Sequence, residues 1–147
     1  MVTCGGVDAM LVCMPASSPF GVTASAGSLR ASAGVILTHQ WTADGIVADP
    51  ASNGAQVLHL AVAVCVLNDT FREGSEAGIA VDGVSVTVDG GFDGDWRSTG
   101  ITYAVTVDSP APHDALARLV RRVDEVAEIP RALRVGMEVR RATVVDE

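Results

Sequence analysis

A thiol at position 65 lies within an eleven-residue apolar run, VLHLAVAVCVL, that spans 57–67 and stops at Asn68–Asp69. A thiolate is the most nucleophilic group a side chain offers at neutral pH, and its reactivity follows its pKa. The chemistry open to Cys65 is therefore attack on a peroxide or another electrophile. The other reading of Cys65 is a small packing residue in a core helix. On a helix, Leu58, Ala61, Asn68, Asp69 and Arg72 share its face. An ionised Asp69 would raise the thiol pKa and Arg72 would lower it. His59 falls off that face, so within one helix it is a poor partner for Cys65, though it could reach the thiol of a second copy. Polar groups this close to a core need partners. His59, Asn68 and Asp69 are thus candidates to line a pocket, or they simply end the buried stretch. Glu125 and Glu128 could approach the same place, or stand as solvated charges at a helix end.

No metal site is expected. His39, His59, His113 and Cys65 lack the close spacing of a zinc motif. The acidic stretch from Asp89 to Asp95 lacks the ligand register of a calcium loop. Cys4, Cys13 and Cys65 make an odd count without paired spacing, which argues against a disulfide framework.

The chain has 147 residues and a formal charge of −8, with all 10 basic residues arginine. That length suits one domain with a substantial core. Its acidity is a poor match to nucleic acid or an anionic membrane, so neither is expected as a partner. The run around Cys65 is about half of the ~20 apolar residues that a membrane span requires. The N-terminus lacks a basic flank before a long apolar stretch, so no secretory signal is expected and a cytoplasmic location is the default. Arginine without lysine, with abundant Ala, Gly and Val, fits a GC-rich bacterial genome.

Residues 1–20 show no clear period and are expected to be a peripheral extension carrying Cys4 and Cys13, with a single domain over 21–147. Alternation over Leu29, Ala31, Ala33, Val35 and Leu37 predicts a strand, and Ile46–Val47 a hairpin arm beyond the turn pair Asp44–Gly45. Asp49 to Gly54 is a breaker cluster in which Ser52 or Asn53 can cap a helix over 55–72, ended at Glu73–Gly74. Strands are predicted at 79–83 and 84–88, and at 101–107 across the loop DGGFDGDWRS. An amphipathic helix follows from His113, limited by Pro130, with a last strand over 135–139. This order is α+β. The first helix is apolar on nearly every face, which one small chain covers poorly, so a homodimer is expected.

The segment from Gly54 to Cys65, GAQVLHLAVAVC, followed by GIAVDGVSVTVDG, ITYAVTVDSPAP and RALRVGMEVR, resembles the OsmC-like family, which includes the organic hydroperoxide resistance proteins. The resemblance runs from about Gly21 to Val145. It implies an intertwined α+β homodimer, with antiparallel strands around a buried central helix and cysteines near the subunit interface. It also implies thiol-dependent reduction of organic hydroperoxides, an oxidative-stress function, with Cys65 as the attacking cysteine and no cofactor. The position matching the family's second, resolving cysteine is Ala127, followed by Glu128 where proline is usual. The activating glutamate falls near Ala55, beside Gln56, and Arg30 is the loose match to an N-terminal arginine. The expectation is a one-cysteine oxidoreductase that needs an external thiol reductant, or Cys4 or Cys13. The alternative is a non-peroxidase member that binds or transforms a small molecule in an interface pocket, through His59, Asn68, Asp69 and Glu125.

Overall fold

In the computed structural model, residues 18–142 are described. Cys4 and Cys13 lie outside them, as does the expected extension up to residue 17. Six strands form one sheet: β1 (Val22–Gly27), β2 (Val35–Leu37), β3 (Ile46–Asp49), β4 (Gly83–Phe92), β5 (Ser98–Asp108) and β6 (Val139–Arg141). Their spatial order is β2-β3-β1-β4-β5-β6. All pairings are antiparallel except β5–β6, which is parallel. The helices are α1 (Gly54–Glu76), α2 (His113–Val126) and α3 (Glu128–Leu133).

The strands alternate as a sheet with one covered face should. Val22, Ala24, Val84, Val86, Val88, Ile101, Tyr103, Val105 and Val107 point into the core. Thr23, Ser85, Thr87, Thr102 and Thr106 fall on the other face and are half-buried. Helix α1 lies on the apolar face across β4 and β1, with α2 beside it. Val62, Ala63, Val66 and Leu67 are its fully buried ridge. At 23 residues α1 is long and apolar enough to cross a bilayer, yet here it is the core helix of a sheet protein, with His59 and Asp69 among its buried residues. Within one chain, α1 has a sheet on one side only. Its outer side, carrying Val57 at 52% exposure together with Leu58, Ala61, Val64 and Cys65, is partly or wholly open.

Several element boundaries move for local reasons. The strand predicted from Leu29 shrinks to 35–37. Gly27 adopts φ +67, and the turn after it is held by Arg30 N–H to Gly27 O at 3.1 Å and Ala31 N–H to Ser25 Oγ at 2.9 Å. Asn53 is the cap of α1, its Oδ1 accepting from Gln56 N–H at 2.9 Å. The helix runs past Gly74, which packs so closely that a Cβ would lie 2.7 Å from Val81. The left-handed residue is Gly78, at φ +70. Ile79 N–H then bonds back to Gly74 O at 2.8 Å, so residues 79–82 follow the helix end instead of opening a strand. Ala127 is extended and separates α2 from α3. Pro130 sits in the first turn of α3, where its missing N–H is tolerated.

Ser18 and Phe20, the end of the segment expected to be peripheral, are tied to the hairpin of β4 and β5. Ser18 Oγ donates to Asp89 Oδ1 at 2.5 Å, and the Phe20 ring packs edge-on against Phe92 with centroids 5.2 Å apart.

Leu67 is fully buried at the centre of this packing. Leu67→Ala is expected to lower unfolding free energy by about 3 kcal/mol in denaturant titration. A loss under about 1 kcal/mol would mean that the α1–sheet contact is not the main source of stability.

Candidate functional site

The thiol of Cys65 stands on the partly open side of α1, four residues before Asp69 and seven before Arg72, so the three share one flank of the helix. The interruption of the helix at Ala127 turns α3 toward that flank. Glu128 Oε2 lies 3.5 Å from Cys65 Sγ, positioned to accept the thiol proton, and Ile129 N–H donates to the sulfur at 3.5 Å. Arg72 spans the carboxylates: its Nη1 is 3.1 Å from Asp69 Oδ1 and 3.5 Å from Glu128 Oε1, and its Nη2 is 3.6 Å from Glu73.

Burial is the first cause that pushes the Cys65 thiol up to about 11; Ile129 N–H acts against it, and the Asp69 and Glu128 carboxylates add to the rise. Asp69 is raised to about 6, again by burial first, with Arg72 opposing and Glu128 reinforcing. Glu128 is held below its ordinary value by its own backbone N–H, with help from the Cys65 thiol and Arg72. At neutral pH the resting arrangement is a protonated thiol donating to an ionised Glu128.

The structure brings together Cys65, Asp69, Arg72 and Glu128 from the sequence candidates. The rest lie elsewhere. His59 is buried near the start of α1, where its Nδ1 bonds Phe20 O at 2.7 Å and its ring stacks on Phe92. Asn68 turns away from the thiol flank toward His39, which packs against Phe71. Glu125 lies 3.9 Å from Arg122, one turn away on α2. Arg30 sits in the turn after β1, without a described hydrogen bond from its guanidinium to the cluster. A shared pocket of His59, Asn68, Asp69 and Glu125 is therefore not formed within one chain, because three of the four point to different neighbours. Gln56, beside the position matching the activating glutamate, is structural. Its Oε1 accepts from Ser52 N–H at 2.8 Å and Oγ at 2.9 Å, and its Nε2 donates to Pro19 O at 3.1 Å.

The contact with Ile129 N–H was missed in the sequence. The available signal was the match of Ala127–Glu128 to the family's Cys-Pro turn, which places that backbone next to the first cysteine.

A thiol on a sheet-packed helix, faced by a short helix bearing a carboxylate, defines an α+β protein with a cysteine-centred site. Residues 48–140 match the family model described as OsmC-like protein, and the chain belongs to that family. Solved structures agree on the fold. An OsmC-like protein from Mycoplasma pneumoniae matches with a TM-score of 0.56 at 12% identity, covering 72% of this chain and 86% of that one. An organic hydroperoxide resistance protein OsmC from Legionella pneumophila matches with a TM-score of 0.55 at 18% identity, covering 65% of this chain and 71% of that one. No curated protein matches the sequence.

Because its carboxylate raises the thiol pKa, Glu128→Gln should move the Cys65 titration below its midpoint of about 11. Thiolate ultraviolet absorbance across a pH series reads this, and an unmoved midpoint would separate Glu128 from the thiol.

Proposed function

We propose that the protein is a one-cysteine, thiol-dependent hydroperoxide reductase in which Glu128 serves as base to Cys65. The observation that carries this reading is the 3.5 Å approach of Cys65 Sγ to Glu128 Oε2 on a partly open flank of α1. A thiol that burial pushes up to about 11 is held almost wholly protonated at pH 7, so a bare thiolate is too scarce. A carboxylate already in place can take the proton as the sulfur attacks.

In the reaction, an Sγ lone pair forms a bond to the terminal peroxide oxygen and the O–O bond breaks. The thiol proton passes to Glu128 and on to the departing alkoxide, giving an alcohol and a sulfenic acid at Cys65. Arg72, between Glu128 and Asp69, holds the base in position. Ala127 stands where a resolving cysteine would be, so two equivalents of an external thiol would return Cys65 to the thiol, forming a disulfide and water.

A second copy of the chain supports the same site. Gly54, Val57, Leu58, Ala61, Val64 and Cys65 follow helical spacing along the outer side of α1, partly or fully exposed. An apolar stripe of this kind is covered in a homodimer.

In chelator-washed protein, oxidation by an organic hydroperoxide is expected to be confined to Cys65, as read by intact mass, and lost in Cys65→Ser. With Glu128 as base the rate should stay nearly flat between about pH 7 and 9, whereas attack by free thiolate would rise about tenfold per pH unit. Glu128→Gln should slow the reaction at pH 7 at least about tenfold even though it lowers the thiol pKa. A rate no faster than that of free cysteine would remove the peroxidase reading. Light scattering at micromolar concentration should give the mass of a dimer; a monomer would mean that the α1 stripe stays open.

A further inference from the structure

We propose that Cys65, Asp69 and Glu128 together bind one divalent transition-metal cation of the zinc class, with Arg72 as the outer donor that orients both carboxylates. The sulfur and one oxygen from each carboxylate all lie within 4.8 Å of one another. A tetrahedral zinc-like ion, with metal–sulfur near 2.3 Å and metal–oxygen near 2.0 Å, holds its ligand atoms roughly 3.3–3.6 Å apart. The Cys65–Glu128 separation is already 3.5 Å, so small side-chain rotations complete the triangle.

An independent observation points to a ligand here. Asp69 is 3% exposed, and its Oδ2 is buried without a hydrogen-bond partner among the described residues. A buried carboxylate oxygen left bare is costly unless something positive or a donor meets it. The division of oxygens makes the same point. Arg72 takes Asp69 Oδ1 at 3.1 Å and Glu128 Oε1 at 3.5 Å, one oxygen from each carboxylate. The remaining oxygens are the bare Asp69 Oδ2 and Glu128 Oε2, which faces the thiol. In metal sites, ligating carboxylates are commonly held by outer hydrogen bonds of this kind.

Charge and softness agree. A thiolate and two carboxylates exceed a divalent ion by one negative charge, and Arg72, which is shared with Glu73 at 3.6 Å, lies against that excess. Mixed sulfur and oxygen donors favour a zinc-class cation over magnesium or calcium, which take oxygen alone. Three protein ligands leave a fourth position open, and Cys65 and Glu128 lie on the accessible flank. On binding, the Sγ–metal bond replaces the S–H bond and the proton leaves to solvent. The spacing of the sequence hides this site, because Glu128 lies 63 positions beyond Cys65.

The cation site goes beyond the hydroperoxide reading and does not depend on it: binding is measured without peroxide, and peroxide rates are measured without metal. The experiment is a cobalt(II) titration of the full chain carrying Cys4→Ser and Cys13→Ser. The expected result is one equivalent bound, with a sulfur-to-cobalt charge-transfer band and the intense visible bands of four-coordination. Cys65→Ser should abolish the charge-transfer band. Glu128→Gln, at an exposed position that leaves the core intact, should weaken affinity at least about tenfold, with circular dichroism confirming the fold of each variant. Should the serine background not fold, the unsubstituted protein and its Glu128→Gln variant carry the same comparison. Absence of the band at millimolar cobalt, its persistence in Cys65→Ser, or unchanged affinity in Glu128→Gln would each overturn the proposal.

Discussion

Everything in this molecule is arranged around a helix with more apolar surface than one sheet can cover. Val62, Ala63, Val66 and Leu67 settle on β4 and β1, and that contact fixes the rotation of α1. Once the rotation is fixed, the flank bearing Cys65, Asp69 and Arg72 has its place between core and solvent. A thiol there is neither sealed in apolar packing nor fully hydrated. Burial raises its pKa, while the residue stays partly exposed.

The extended residue Ala127 is the second constraint. It is fully buried, so the chain leaves α2 at a defined point and α3 begins against α1. This single change of direction delivers both Glu128 and the Ile129 N–H to the sulfur. Where the family pattern has a resolving cysteine and proline, this chain presents a carboxylate. The consequence is a site whose charge is dominated by Asp69, Glu73 and Glu128 around one guanidinium, with the thiol held protonated at rest. Such a site requires a proton acceptor or a cation before the sulfur can act as an anion.

The opposite end of α1 is a different environment. His59, Phe20 and Phe92 form a packed cluster that closes the sheet hairpin over the start of the helix. Gly90 approaches the imidazole so nearly that a Cβ would lie 2.9 Å from Nε2. Within one chain His59 is held as a structural pin.

The sequence by itself determined the α+β order, the helix with a cap at Ser52 or Asn53, the family, and Cys65 as the centre of interest. These rest on periodicity, capping chemistry and motif order, which are local along the chain. It also put Asp69 and Arg72 on the thiol's face, since helical spacing is arithmetic. Only the tertiary structure decided that Glu128 and Ile129 meet the sulfur, that His59, Asn68 and Glu125 turn to other neighbours, and that one oxygen of Asp69 is left bare. Those outcomes depend on how α3 docks on α1 and on which flank of α1 the sheet covers. The strands misjudged near Leu29 and Ile79 failed for the same reason. Hydrogen bonds from Ala31 to Ser25 and from Ile79 to Gly74 override alternation that read as strand, and such bonds are decided by where the chain folds back, which no local pattern of side chains encodes.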